Sequence, residues 1–136
     1  MGKISGPLMD RIAIHVTVHP VDVEAWSGDD RAVRMSTADM RAKVERAHEA
    51  QARRFTAGDR MDCNARIPER RFRELCAMEA PAEALFLAAL RSLKVSARAR
   101  GHIVRLARTI ADLEGSDRIA ERHVAEAVGY RGRDSR

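Results

Sequence analysis

Arg98 and Arg105 lie seven residues apart with His102 between them, so in a helix all three share one side. At about 100° per residue the stripe runs on through Thr109 and Asp112. Two guanidiniums projecting from one rigid rod suit a phosphate or a carboxylate, which a planar fork of N–H donors grips well. The same residues also suit a solvated face closed by an Arg105–Asp112 or Arg108–Asp112 ion pair, a common role for charge runs. A second basic concentration comprises Arg53, Arg54, Arg60, Arg66, Arg70, Arg71 and Arg73. It fits contact with a DNA backbone, and it fits solvated helix ends equally. Cys63 and Cys76 are the only cysteines, too few for a disulfide framework or a zinc site. They read as buried or incidental thiols.

Several chemistries are excluded by what the sequence lacks. It has no G-x-x-x-x-G-K-[ST], no G-x-G-x-x-G, no H-E-x-x-H and no G-x-S-x-G. No phosphate-cradling loop, metalloprotease centre or hydrolase elbow is present in the 136 residues. Lys plus Arg exceeds Asp plus Glu by 25 to 20, a net charge of +5 that permits phosphate contact without requiring it. With 45% hydrophobic and 33% charged residues the balance is that of a soluble domain. No apolar run approaches the roughly 20 residues of a membrane span, and the N-terminus lacks the basic-then-apolar pattern of a signal peptide, so a cytoplasmic protein is expected.

The elements that must position these side chains are mostly helical, as the 4% aromatic content and abundant Ala and Leu suggest. Residues 1–10 read as a loop. Ile12, Ile14, Val16 and Val18 alternate with Ala13, His15 and Thr17, the period-two pattern of a strand. A lone strand leaves its backbone groups unpaired, so this one is expected to promote self-association. Residues 21–35 read as a connector. Ser36 with Asp39 forms a capping-box signature for a helix to about Phe55, with Met40, Val44, Ala47, Gln51 and Phe55 on its apolar face. A loop over 56–66 precedes a helical bundle. There Pro68 and Pro81 open helices, Ser96 caps the helix that carries the arginine stripe, and Gly115 ends it. That helix buries Ala99, Ile103, Leu106, Ile110 and Leu113. A last short helix from Glu121 buries Val124 and Val128, and residues 132–136 read as frayed.

Three blocks resemble a known family. Lys3-Ile-Ser-Gly-Pro-Leu-Met-Asp-Arg-Ile-Ala-Ile-His-Val16 is similar to the K-I-S-G-P-L-L-D-R-I-D-I-H-V segment of the magnesium-chelatase-like, ComM-type AAA+ ATPases. Asn64-Ala-Arg66 resembles the N-A-R before that family's lid bundle. Ser96-Ala-Arg-Ala99, followed by Val104 to Gly115 and by Ala120 to Ala127, resembles its C-terminal end. The resemblance implies a mainly α fold: an AAA+ lid-type bundle at 67–131, a connector and long helix at 21–66, and a remnant of the ATPase core with one stray strand at 1–20. The family's P-loop and acidic metal-holding strand would lie upstream.

By the same resemblance Arg11 matches an arginine finger, reaching the γ-phosphate bound to a neighbouring subunit, and Arg98 matches the sensor-2 arginine that contacts ATP phosphate. Arg105 is a weaker candidate for that contact. Asp10 is expected to orient Arg11 or cap a turn rather than bind metal. His15 is expected to be packed or hydrogen-bonded. Ala13 departs from the family's Asp, and His102 departs from its usual aromatic or polar residue. The implied function is the lid of a ring ATPase acting on DNA in recombination or transformation. ATP and Mg2+ would then be cofactors only of the intact ATPase, and the partners would be neighbouring subunits of a homo-oligomeric ring. Without a P-loop this chain would be inactive alone. The other reading is a stand-alone helical module contacting DNA through Arg53, Arg54, Arg70 and Arg71, or contacting a partner ATPase.

Overall fold

The computed structural model describes residues 6–18, 20, 35–56, 58–59, 61–93 and 96–131, and it is mainly helical. A single turn, α1 (Gly6–Met9), is followed by α2 (Thr37–Arg54). Short 3-10 turns at Asn64–Arg66 and Glu69–Arg71 then lead into α3 (Phe72–Leu75). The bundle is completed by α4 (Ala80–Leu93), α5 (Ala97–Glu114) and α6 (Glu121–Gly129). The connector expected at 21–35 lies outside the described residues except for Met35, and the tail at 132–136 lies outside them entirely.

Local chemistry sets the helix ends. The Ser36 hydroxyl accepts the Asp39 N–H at 3.1 Å, and the Asp39 carboxylate accepts the Ser36 N–H at 3.2 Å. These reciprocal bonds satisfy two donors that no helical carbonyl can reach, and the Ser36 side chain holds the Asp39 carboxyl below its ordinary pKa. Ser96 caps α5 in the same way, accepting the Ala99 N–H at 3.2 Å. Gly115 ends α5 with φ 74, the left-handed geometry that glycine adopts without steric cost. Behind it the Ser116 N–H returns to the Ala111 carbonyl at 2.8 Å.

α5 is the axis of the core. Ile103, Val104, Ala107, Ile110 and Ala111 pack with Ile67, Ala82, Ile119, Val124 and Ala127 in one cluster. The small side chains at Ala82, Ala107, Ala111 and Ala127 let the helices approach closely. A parallel bridge between Met78 and Ile119 ties the entry of α4 to the entry of α6, with N–H···O bonds of 2.9 Å in both directions. α6 has no side-chain acceptor at its cap residue, Ala120. The fully buried His123 supplies one: its Nδ1 accepts the Ala120 N–H at 2.9 Å. That bond assigns the ring proton to Nε2, which donates to Glu114 at 2.9 Å.

The structure departs from the sequence pattern in three places. Residues 6–9, expected as loop, form one helical turn, because Pro7 is well tolerated in a first turn. The strand expected over 11–18 forms no ladder among the described residues, and Ile12, Ile14, Val16 and Val18 are exposed. A period-two pattern needs a neighbouring strand to become sheet. Third, Met40 and Val44 are exposed, so the buried face of α2 is confined to its C-terminal half, at Ala47 and Gln51. Only that half of the helix packs against the bundle. No described helix is long and apolar enough to cross a membrane.

Candidate anion-binding cleft

The arginine stripe of α5 divides into two parts with different surroundings. Its C-terminal part is buried in a polar knot. Asp112, 2% exposed, accepts Arg54 Nη1 at 2.8 Å and Arg54 Nη2, Asn64 Nδ2 at 2.7 Å, and Arg108 Nε and Nη2 at 3.1 and 2.9 Å. Arg108, 1% exposed, also donates to the Ser116 and Asp117 carbonyls. Asn64 donates its backbone N–H to Gln51 Oε1 at 2.8 Å, and its side chain reaches Thr109 Oγ1 at 3.2 Å. Thus the Asn64-Ala-Arg66 turn, the end of α2 and the end of α5 are locked together by hydrogen bonds around one carboxylate. Burial depresses the Arg108 pKa and the Asp112 carboxylate opposes that fall. Of the two ion pairs open to the stripe, Arg108–Asp112 forms; Arg105 turns elsewhere.

The N-terminal part of the stripe faces an open cleft of about 610 Å³ lined by Arg11, Ala65, Glu69, Arg98, His102 and Arg105. Three candidate residues from two distant parts of the sequence therefore line one cleft. Arg11 comes from the turn after α1, and Arg98 and Arg105 come from α5. The side chains of Arg11 and Arg98 are exposed, and among the described residues neither has an acidic partner. Arg105 is more constrained: its Nε donates to the Ile67 carbonyl at 2.8 Å, and its guanidinium lies 5.2 Å from the Phe72 ring centroid. Gly101, which the sequence pattern does not mark, makes that placement available. A Cβ there would sit 2.9 Å from Arg105 Nη1 and 3.2 Å from Glu69 Oε1. Glu69 is the acid in the lining, and Arg100 pairs with it. A second depression of about 600 Å³ has Phe72, Met78, Phe86 and Val104 in its lining and contains none of Arg11, Arg98 and Arg105.

His102 reports on this field. Partial burial pushes its pKa below the ordinary 6.5, and Arg131, Arg105 and Arg98 push it down further, while Asp10 opposes them. A histidine whose folded pKa is depressed binds fewer protons than the unfolded chain. Its contribution therefore weakens the fold progressively as pH falls below about 6.5. Removing a neighbouring cation, as in Arg98→Ala, is expected to raise the His102 pKa. Sulfate seated in the cleft is expected to raise it as well. NMR titration of the His102 ring protons checks both, and a midpoint that moves with neither would show that the cleft field does not reach the ring.

The four arginines of the DNA-backbone reading meet different fates. Arg54 is 15% exposed and committed to Asp112, and Arg71 is held by Asp59 and Glu74, so neither guanidinium is free for a phosphate. For Arg54 the cause is desolvation, since a buried cation seeks the nearest carboxylate; half-buried Arg71 is engaged by one carboxylate on each side. Arg53 is exposed beside Glu49 at 3.8 Å, and Arg70 is exposed. Cys63 is half-buried and Cys76 buried, and burial pushes the Cys76 thiol up to about 11. His15 is half-buried, and its backbone N–H donates to the Tyr130 carbonyl at 3.0 Å.

Residues 34–131 match the family described as magnesium chelatase, subunit ChlI C-terminal. The chain belongs to this family. A Haemophilus influenzae protein named competence protein ComM is 35% identical over 134 residues, covering 96% of this chain and 25% of that protein. A Salmonella typhimurium protein named YifB, described as uncharacterized, is 31% identical over 134 residues, covering 98% of this chain and 25% of its own length. The uncharacterized Mycobacterium tuberculosis protein Rv2897c is 34% identical, with 96% and 25% covered. The chain thus spans about a quarter of the length of these relatives and corresponds to a ComM-type C-terminal region.

Proposed function

We propose that this chain is the lid portion of a magnesium-chelatase-like AAA+ ring ATPase, and that the cleft between Arg11 and α5 receives the phosphates of ATP. One observation carries the reading: the finger candidate Arg11 and the sensor-2 candidate Arg98 line the same cleft with no acidic partner among the described residues. Two uncompensated guanidiniums in one concavity favour a polyanion, because they attract it and repel each other in its absence. Arg98 lies in the first turn of α5, where a cation opposes the helix dipole, a local cost that a bound phosphate offsets. A finger acts on nucleotide held by a neighbouring subunit. Since Arg98 shares the cleft of Arg11, it acts on that same neighbouring nucleotide. ATP and Mg2+ are then held chiefly by a P-loop half, and this chain completes the site in an assembled ring working on DNA.

The test is titration of the chain with tripolyphosphate at low ionic strength, followed through the arginine side-chain N–H resonances. Arg11→Ala and Arg98→Ala are each expected to weaken binding about tenfold, the low end of about 1.5–3 kcal/mol for a charge-assisted hydrogen bond. Affinity unchanged from the parent chain in both variants would refute the reading. The chain alone is expected to hydrolyse no ATP. Turnover that survives purification and vanishes in Arg98→Ala would contradict that. The alternative, a module that binds DNA, retains Arg53 and Arg70, and a steep loss of DNA affinity with salt would favour it.

A further inference from the structure

Arg11 sits on a turn that has little to hold it. α1 is four residues long, and its continuation is secured by two local bonds, Arg11 N–H to the Leu8 carbonyl at 3.0 Å and Ile12 N–H to the Met9 carbonyl at 3.1 Å. A single helical turn is unstable by itself in water. The contacts that fix it come from the opposite end of the chain. Arg131 follows the end of α6, and its side chain is 7% exposed. Its Nη1 donates to the Ile12 carbonyl at 2.8 Å, and its Nη2 lies 3.3 Å from the Asp10 carboxylate. The residues on both sides of Arg11 are therefore gripped by one guanidinium. Beside that grip the His15 N–H donates to the Tyr130 carbonyl at 3.0 Å. Both Tyr130 and Arg131 are themselves tied back to α6, at Glu126 and Val128.

We propose that Arg131 is a positioning residue that clasps the Arg11 turn to α6 and so sets the spacing between Arg11 and Arg98. The path is continuous: Asp10 and Ile12 bond to Arg131, Arg131 follows α6, and α6 packs along α5, which carries Arg98. Arginine suits the task because its rigid fork of five donors serves a carboxylate and a carbonyl together. The consequence for binding rests on the reading of the cleft as a polyphosphate site; the clasp itself does not. Two arginines act on one polyanion only when their separation is held, since an unanchored turn would have to be ordered by the ligand.

Arg131→Gln and Arg131→Lys in this chain provide the test, with two readouts. Amide hydrogen exchange without ligand is expected to speed up at least about tenfold at Ile12 and His15 in Arg131→Gln, while α5 amides keep their protection. Tripolyphosphate affinity is expected to fall by the factor seen for Arg11→Ala. Adding Arg11→Ala to Arg131→Gln should then change nothing further, whereas adding Arg98→Ala should still cost its full factor. Arg131→Lys should recover part of both losses. Unchanged exchange at Ile12 and His15 would overturn the clasp. So would a full additional loss from Arg11→Ala in the Arg131→Gln background, which would mean that Arg131 touches the anion itself. If neither Arg11 nor Arg98 affects affinity in the parent chain, the reading of the cleft fails, and the exchange result alone decides for or against the clasp.

Discussion

Asp112→Ala is expected to destabilise the fold by about 3–5 kcal/mol, the range for breaking a buried ion pair from one side. The carboxylate is 2% exposed and accepts hydrogen bonds from Arg54, Asn64 and Arg108. Its removal strands two cations where water does not reach well: Arg108 is 1% exposed, and the Arg54 side chain is 15% exposed. Both remain protonated, because an arginine cannot shed its charge in a protein. A domain of this size has only about 5–15 kcal/mol in total, so the variant should sit near the edge of folding. Arg54→Ala should cost less, because Arg108 and Asn64 still satisfy Asp112 and the vacated position lies nearer solvent. Urea unfolding of the two variants and of the Arg54→Ala/Asp112→Ala pair makes the comparison. A cost below about 1 kcal/mol for Asp112→Ala would show that the knot is not the keystone between α2 and α5.

Arg11→Ala is expected to have the largest functional effect. In a ring that joins this chain to a P-loop half, it should lower the rate of ATP hydrolysis about 10³-fold or more, the scale of an arginine finger in phosphoryl transfer. The physical reason is charge development. The transition state spreads negative charge over the γ-oxygens, and an inserted guanidinium stabilises that state more than bound ATP. Hence kcat should fall far more than nucleotide affinity. Arg98→Ala should differ by weakening both, if its guanidinium touches phosphate in the ground state as well. Steady-state kinetics beside equilibrium ATP binding separates the two patterns. A loss in affinity with unchanged kcat for Arg11→Ala would remove it from the reacting end of the nucleotide. Mixing Arg11→Ala subunits with subunits that lack a working P-loop supplies the assembly check. Activity should return only where an intact Arg11 faces an intact P-loop.

Asp112 and Arg98 belong to one stripe on α5, yet their surroundings differ. Arg98 and Arg105 differ by two helical turns, yet one guanidinium lacks an acidic partner among the described residues and the other is seated on Ile67 and Phe72. Asp112, two turns further on, is wholly internal. Periodicity places residues on a face, and the neighbouring elements decide which part of that face stays open. Here the Asn64–Arg66 turn and the end of α2 cover its C-terminal part, leaving the first two turns to the cleft.

Much of this molecule was legible without coordinates. The Ser36–Asp39 box, the Ser96 cap, the Gly115 stop and the alignment of Arg98 with His102 and Arg105 all depend on atoms within a few residues of one another, so short-range geometry is enough to foresee them. The family resemblance was legible for the same reason, in contiguous blocks. What tertiary structure decided were pairings across long stretches of chain: Arg54 with Asp112, 58 residues apart, and Arg131 with Ile12, 119 residues apart. In the sequence Arg54 and Arg71 look as available as Arg53 and Arg70. Packing makes the difference: Arg54 is drawn against the core, where it must find a carboxylate, and half-buried Arg71 is held between Asp59 and Glu74. The same holds for the alternation over residues 11–18, whose fate as sheet depends on a neighbouring strand.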